Sequence, residues 1–178
     1  MARNVTDVAL MLDAMVGQYP ADPISLPIPT VPFLTAAQMA TPPKRIGWSA
    51  SLGVAPVEPE IATICGAAAK AFADFGTHVD EACPDFTHAH EMFLTMRGVS
   101  YVAAQGRHMA ENRDLLKSEV IWNYNYGLGL SAEDIAQAHM IRARIHINMC
   151  EFFETYDLLV TPTVMTAPSL VEIRYISE

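Results

Sequence analysis

The sequence predicts an α/β fold, and three observations carry that reading. Residues 44–82 run strand, helix, strand, the order of a βαβ unit. Helical patterning then continues from about Thr87 to Glu111 and from Ser131 to about Tyr156. A short apolar run, Asp157 to Thr161, follows and is stopped by Pro162, as expected of a buried strand. The 178 residues fit one compact domain, and a composition of 51% hydrophobic and 17% charged residues excludes a disordered segment. The net charge of −9 argues against a nucleic-acid surface, which needs a basic stripe to displace counterions from phosphates.

Each element has a local cause. Val5, Val8, Leu12 and Val16 recur at helical spacing, with Asn4 to cap the start and Gly17 the end. Asp7 and Asp13 interrupt this run, so neither a signal peptide nor a membrane span is expected. Residues 18–43, with Pro20, Pro23, Pro27, Pro29 and Pro32, read as an irregular connecting loop, because proline lacks the amide proton of both regular ladders. Lys44 to Trp48 reads as a strand. Pro59 opens a helix reaching about Phe75, stopped by Gly76, with Ile61, Ile64, Ala68, Phe72 and Phe75 on its apolar face. Thr77 to Ala82 reads as the next strand, and a shorter helical piece spans Glu119 to Tyr126. Ser131 and Asp134 form a capping box for the last helix. Val171, Ile173 and Tyr175 alternate with Glu172 and Arg174 as in a half-buried strand.

Cys65, Cys83 and Cys150 are widely spaced and odd in number, which fits reduced core thiols in a cytoplasmic protein. His88 and His90 stand two apart and point different ways on a helix, while His139 and His146 are two turns apart; no metal site is expected from either pair. No G-x-S-x-G elbow is present, and Gly127-Leu128-Gly129 lacks the rest of a phosphate loop. Met92, Met96 and Met109 read as core filler, Arg142 and Arg144 as a solvated helix face. Two features point to a pocket. Trp122-Asn123-Tyr124-Asn125-Tyr126-Gly127 gathers carboxamides and rings, which either shape a polar, flat site or form a packed helix end capped by Asn123. Thr161-Pro162-Thr163 follows a strand, either as ligand-binding rim or as a strand broken by proline.

In order along the chain, the opening Met1 to Leu12, Asp22-Pro23-Ile24-Ser25-Leu26-Pro27, Arg45-Ile46-Gly47-Trp48-Ser49, Leu52-Gly53, Val57-Glu58-Pro59-Glu60, Glu119 to Asn123, Tyr156 to Thr163 and Glu172-Ile173-Arg174-Tyr175 resemble the amidase-signature family. The resemblance implies a partial mixed sheet covered by helices, and a chemistry of amide hydrolysis or transamidation. The family uses a lysine, a bridging serine and a nucleophilic serine on a glycine- and serine-rich loop. These lie upstream of the matched region, and Lys44, Lys70 and Lys117 do not fit the lysine's context. The resemblance thus implies a middle-to-C-terminal section, cut at both ends, with no catalytic residue of its own.

On this basis the chain is expected to form scaffold and one wall of the acyl pocket of an amidase for small carboxamides, and to be inactive alone. Trp122, Asn123, Thr161, Pro162 and Thr163 are the pocket candidates. Two alternatives stand beside it: part of the A-like subunit of a tRNA-dependent amidotransferase, and a stand-alone α/β binding module or gene remnant. No cofactor, metal, membrane or nucleic-acid partner is expected of the chain itself, whereas self-association through exposed sheet edges is.

Overall fold

The first helix of the computed structural model, which describes residues 2–173, begins at a capping side chain. The Asn4 carboxamide oxygen accepts the Asp7 N–H at 2.8 Å, opening α1 (Val5–Met15). Residues 1–42 form one compact unit and residues 43–178 another. Within the first, Ala9 is the buried position of α1, whereas Val5, Val8 and Leu12, expected to be covered, are exposed. A unit of so few residues has little partner surface to bury them against. The segment expected to be irregular contains a second helix, α2 (Phe33–Gln38). Its cap comes from α1: the Asp13 carboxylate accepts the Phe33 and Leu34 N–H groups at 2.7 and 3.0 Å. Pro32 sits just ahead of the helix, where its missing donor costs nothing. The proline-rich stretch before it is tied by Ser25, whose hydroxyl accepts from the Tyr19 amide and donates to the Asp22 carbonyl.

The second unit is built on a sheet of three parallel strands in the order β2-β1-β3, formed by β1 (Arg45–Trp48), β2 (His78–Glu81) and β3 (Leu158–Val160). The mixed sheet implied by the resemblance is represented here by parallel pairs, Arg45 opposite His78 and Ile46 opposite Leu158. Ile46, 0% exposed, is the centre of the core. Its strand neighbour Trp48 lies against Gly66 of α3 (Pro59–Lys70), where a Cβ would stand 3.6 Å from the indole. On the opposite face Gly47 leaves room for Phe152 of α6 (Ala132–Phe153); a Cβ there would meet the ring at 2.5 Å. Small residues in β1 and α3 therefore admit one large aromatic on each side.

That packing rotates α3 relative to the expected apolar face. Ala69 is buried, while Ile64 is 58% exposed and Phe75 lies exposed in the 3₁₀ turn (Ala71–Phe75) that prolongs α3. Gly76 then takes the left-handed conformation, φ 83°, that stops the helix as expected. Strand β3 is an outer strand and Leu158 is 46% exposed, so the fully buried run expected over 157–161 is half covered. The Asp157 carboxylate accepts the Arg45 and Lys44 N–H groups at 2.9 and 2.7 Å, and these bonds hold its pKa below the ordinary aspartate range. Arg45 donates to Asp80 at 2.6 Å, a bond that lowers the aspartate and raises the arginine. Its guanidinium also stands 5.0 Å over the Tyr156 ring, which stacks on Phe152.

The remaining helices are α4 (Ala89–Glu111), α5 (Ser118–Leu128) and α6, whose capping box at Ser131 and Asp134 forms as expected. Val171 and Glu172 lie in a turn closed by Ile173 N–H to the Leu170 carbonyl at 2.9 Å, not in the expected strand. Arg174 and Tyr175 of that expectation lie outside the described residues. The expectation of core thiols also fails: Cys65 is half-buried, but Cys83 and Cys150 are exposed. No described helix is long and apolar enough to cross a membrane.

Candidate functional site

Helices α4 and α5 approach through two glycines. A Cβ at Gly98 would lie 2.9 Å from Tyr126 Cδ1 and 3.0 Å from Gly127 Cα, and one at Gly127 would lie 2.7 Å from Val102 Cγ2. No side chain larger than hydrogen fits either position without separating the helices. Gly127, read in sequence as part of an incomplete phosphate loop and of the Trp122–Gly127 cluster, is thus a crossing point. Beside the crossing, Arg97, Ser118, Glu119, Trp122 and Asn123 line a cleft of about 620 Å³.

Each wall has a local cause. Asn123 does not cap the helix end; it sits inside α5 and donates its Nδ2 to the Glu119 carbonyl at 2.7 Å. It is 8% exposed, and its Oδ1 has no hydrogen-bond partner. Arg97 places its guanidinium 5.0 Å over the Phe93 ring one turn earlier in α4, and its buried Nε is likewise unpartnered. Trp122, 52% exposed, stacks on Tyr126 with centroids 5.4 Å apart. Glu119 accepts the Ser118 hydroxyl at 3.2 Å. The lining therefore carries one cation, one carboxylate and a flat ring, while Arg97 Nε and Asn123 Oδ1 are sealed beneath it without hydrogen-bond partners.

Of the five sequence candidates, Trp122 and Asn123 share this cleft; Thr161, Pro162 and Thr163 do not line it. Those three follow β3 at the carboxyl rim of the sheet, Thr161 and Pro162 half-buried and Thr163 exposed. Ser49 N–H reaches the Val160 carbonyl at 3.0 Å, and Glu58 holds the far side of the loop, donating its N–H to Met165 and accepting the Ala167 N–H at 2.9 Å. Arg97 was missed in sequence. Its signal was a lone charge inside the apolar run Met92 to Val102.

No group of three potential metal ligands gathers among the described residues. His88 lies at the start of α4 with φ 64°, 3.8 Å from Glu91, and His90, His139 and His146 are not joined to it in any such group. Six of the serine hydroxyls have structural partners. Ser49 and Ser51 accept loop amides, Ser100 donates to Met96, and Ser25, Ser118 and Ser131 bind backbone or carboxylate. None of these bonds joins a serine to a lysine or histidine base.

A parallel sheet with α3 against one face and α6 against the other defines an α/β protein. The chain belongs to the Amidase family, whose model matches residues 1–175. It is 28% identical over 169 residues to an acylamidase of Rhodococcus erythropolis, covering 94% of this chain and 35% of that protein. It is 26% identical over 190 residues to the A-type subunit of the glutamyl-tRNA(Gln) amidotransferase of Moorella thermoacetica, covering 93% of this chain and 39% of that one. Among solved structures, a bacterial aryl acylamidase of the amidase-signature enzymes superposes with a TM-score of 0.82 at 24% identity, over 94% of this chain and 36% of its own. That likeness shows the fold. The chain spans about a third of the length of the curated relatives it matches.

Proposed function

We propose that the chain is a non-catalytic section of an amide-bond hydrolase acting on small carboxamides. The observation that carries this reading is the family match along residues 1–175. In it, β1, β2 and β3 are scaffold, and Trp122 and Asn123 form one wall of the acyl pocket. Thr161, Pro162 and Thr163 contribute a second surface at the carboxyl rim of the sheet, where open α/β sheets receive ligands. Serine-based amide hydrolysis needs a base that takes the hydroxyl proton. That no serine hydrogen bond seen here runs to a lysine or histidine supports a chain that is inactive alone. The purified chain is expected to release no ammonia from simple amides above a buffer control. Turnover that survives further purification overturns the reading. Mixing with a polypeptide that carries the family's lysine and two serines is expected to restore hydrolysis.

The similarity to amidotransferase A-type subunits supports a second reading, in which the section serves transfer of ammonia from glutamine to an activated acyl group. Glutamine-dependent transfer to charged tRNA in the presence of partner subunits, without hydrolysis of free carboxamides, selects it.

A further inference from the structure

Of the three cysteines, one has a base beside it. Cys150 Sγ lies 3.6 Å from His146 Nε2 on α6, and both side chains are exposed. Residues four apart on a helix share a face, so the spacing itself brings sulfur and ring together. Cys83 is exposed too, but its thiol donates to the Pro84 carbonyl at 3.2 Å, an acceptor that holds the hydrogen without taking the proton. Cys65 is half-buried in α3. An imidazole can take the proton and release the thiolate, the form that attacks an electrophile.

The surroundings of Cys150 narrow the class of electrophile. Its other neighbours one turn away on α6 are Ile147 and Phe153, 50% and 46% exposed, and the exposed Glu154. Glu151 follows it directly, and no lysine or arginine lies between residues 145 and 156. A molecule reaching the sulfur meets apolar surface and negative charge, which favour an organic cation over an anion. We propose that Cys150, with His146 as its base, is a thiol–disulfide exchange site for cationic organic disulfides. His146 Nε2, in the tautomer that carries a lone pair there, takes the Sγ proton as the sulfur attacks one sulfur of the disulfide. The S–S bond breaks, and the departing sulfur leaves with the bonding pair and takes the proton from the imidazolium. Cys150 is oxidised to a mixed disulfide while the other half of the reagent is reduced to a thiol, so no further oxidant is needed. Neither residue lines the α4–α5 cleft, and the site is independent of amide chemistry.

The test uses the full chain in its reduced form. Excess cystamine, 2-hydroxyethyl disulfide or oxidised glutathione is added, and the initial rate at each cysteine is read by peptide mass after acid quenching. Cystamine is expected to modify Cys150 at least about tenfold faster than Cys83. At Cys150 the rates are expected to fall in the order cationic, neutral, anionic disulfide. His146→Gln is expected to bring Cys150 down to the rate of Cys83 and to leave Cys83 unchanged, the unchanged rate marking an intact fold. Glu154→Gln is expected to narrow the gap between cystamine and oxidised glutathione without altering the rate with the neutral reagent. Equal rates at Cys150 and Cys83 in the parent, or a Cys150 rate indifferent to His146→Gln, overturn the proposal by leaving an ordinary surface thiol. A preference for cystamine no greater at Cys150 than at Cys83 overturns the assigned class and traces the preference to the net charge of −9.

Discussion

The sheet and the α4–α5 pair solve the same problem in opposite ways. Around β1 the polar groups answer one another: Asp157 takes two backbone amides, and Arg45 is shared between Asp80 and the Tyr156 ring. Between α4 and α5 the backbones are brought as close as two glycines allow, and yet Arg97 Nε and Asn123 Oδ1 are left without partners. The difference teaches that tight packing and polar satisfaction are separable.

Substitutions sharpen that contrast. Ile46→Ala empties the one fully buried large side chain in the middle strand and is expected to cost about 4 kcal/mol, read from the urea midpoint. Gly127→Ala forces α5 off the backbone of Gly98, with an expected cost of about 3 kcal/mol and disturbance of the Trp122 environment. Asn123→Leu removes the unanswered oxygen at similar volume. It is expected to change stability by about 1 kcal/mol or less, in the stabilising direction, read from the urea midpoint. A large loss of stability there would place Asn123 with the satisfied groups of the sheet and erase the distinction.

The smallest effect is the pH response. Asp157 and Asp80 have folded pKa values below the ordinary aspartate value of 3.8. Carboxylates lowered by folding stabilise above that value, and the contribution fades as pH falls through the lower folded one. Acid unfolding of Asp157→Asn is therefore expected to show a flatter dependence below pH 3.8 than the parent, with no difference in slope at neutral pH.

Local chemistry made the second unit largely legible. Gly76 and the Ser131–Asp134 box mark helix ends through contacts within a few residues, and both appear where the sequence puts them. What escaped depends on distant partners. The cap of α2 comes from Asp13, 20 residues upstream, so proline content alone pointed to irregular backbone. The buried side of α3 is chosen by Trp48 seeking Gly66, which overrides the larger Ile64 and Phe75. Two of the five lining residues, Trp122 and Asn123, were visible, because aromatic and carboxamide residues cluster there in sequence. Arg97 belongs to another helix, and only the glycine crossing brings it to the same wall.

Glu58 stands at the start of α3 and grips the loop after β3 by its own amide and by its carboxylate, while Ser49 grips the same chain at the strand's last residue. Thr161, Pro162 and Thr163 consequently hang like a short deck between two piers. Such a span transmits load: loosening either support reshapes the whole stretch, so neutralising Glu58 would alter the rim without touching a threonine.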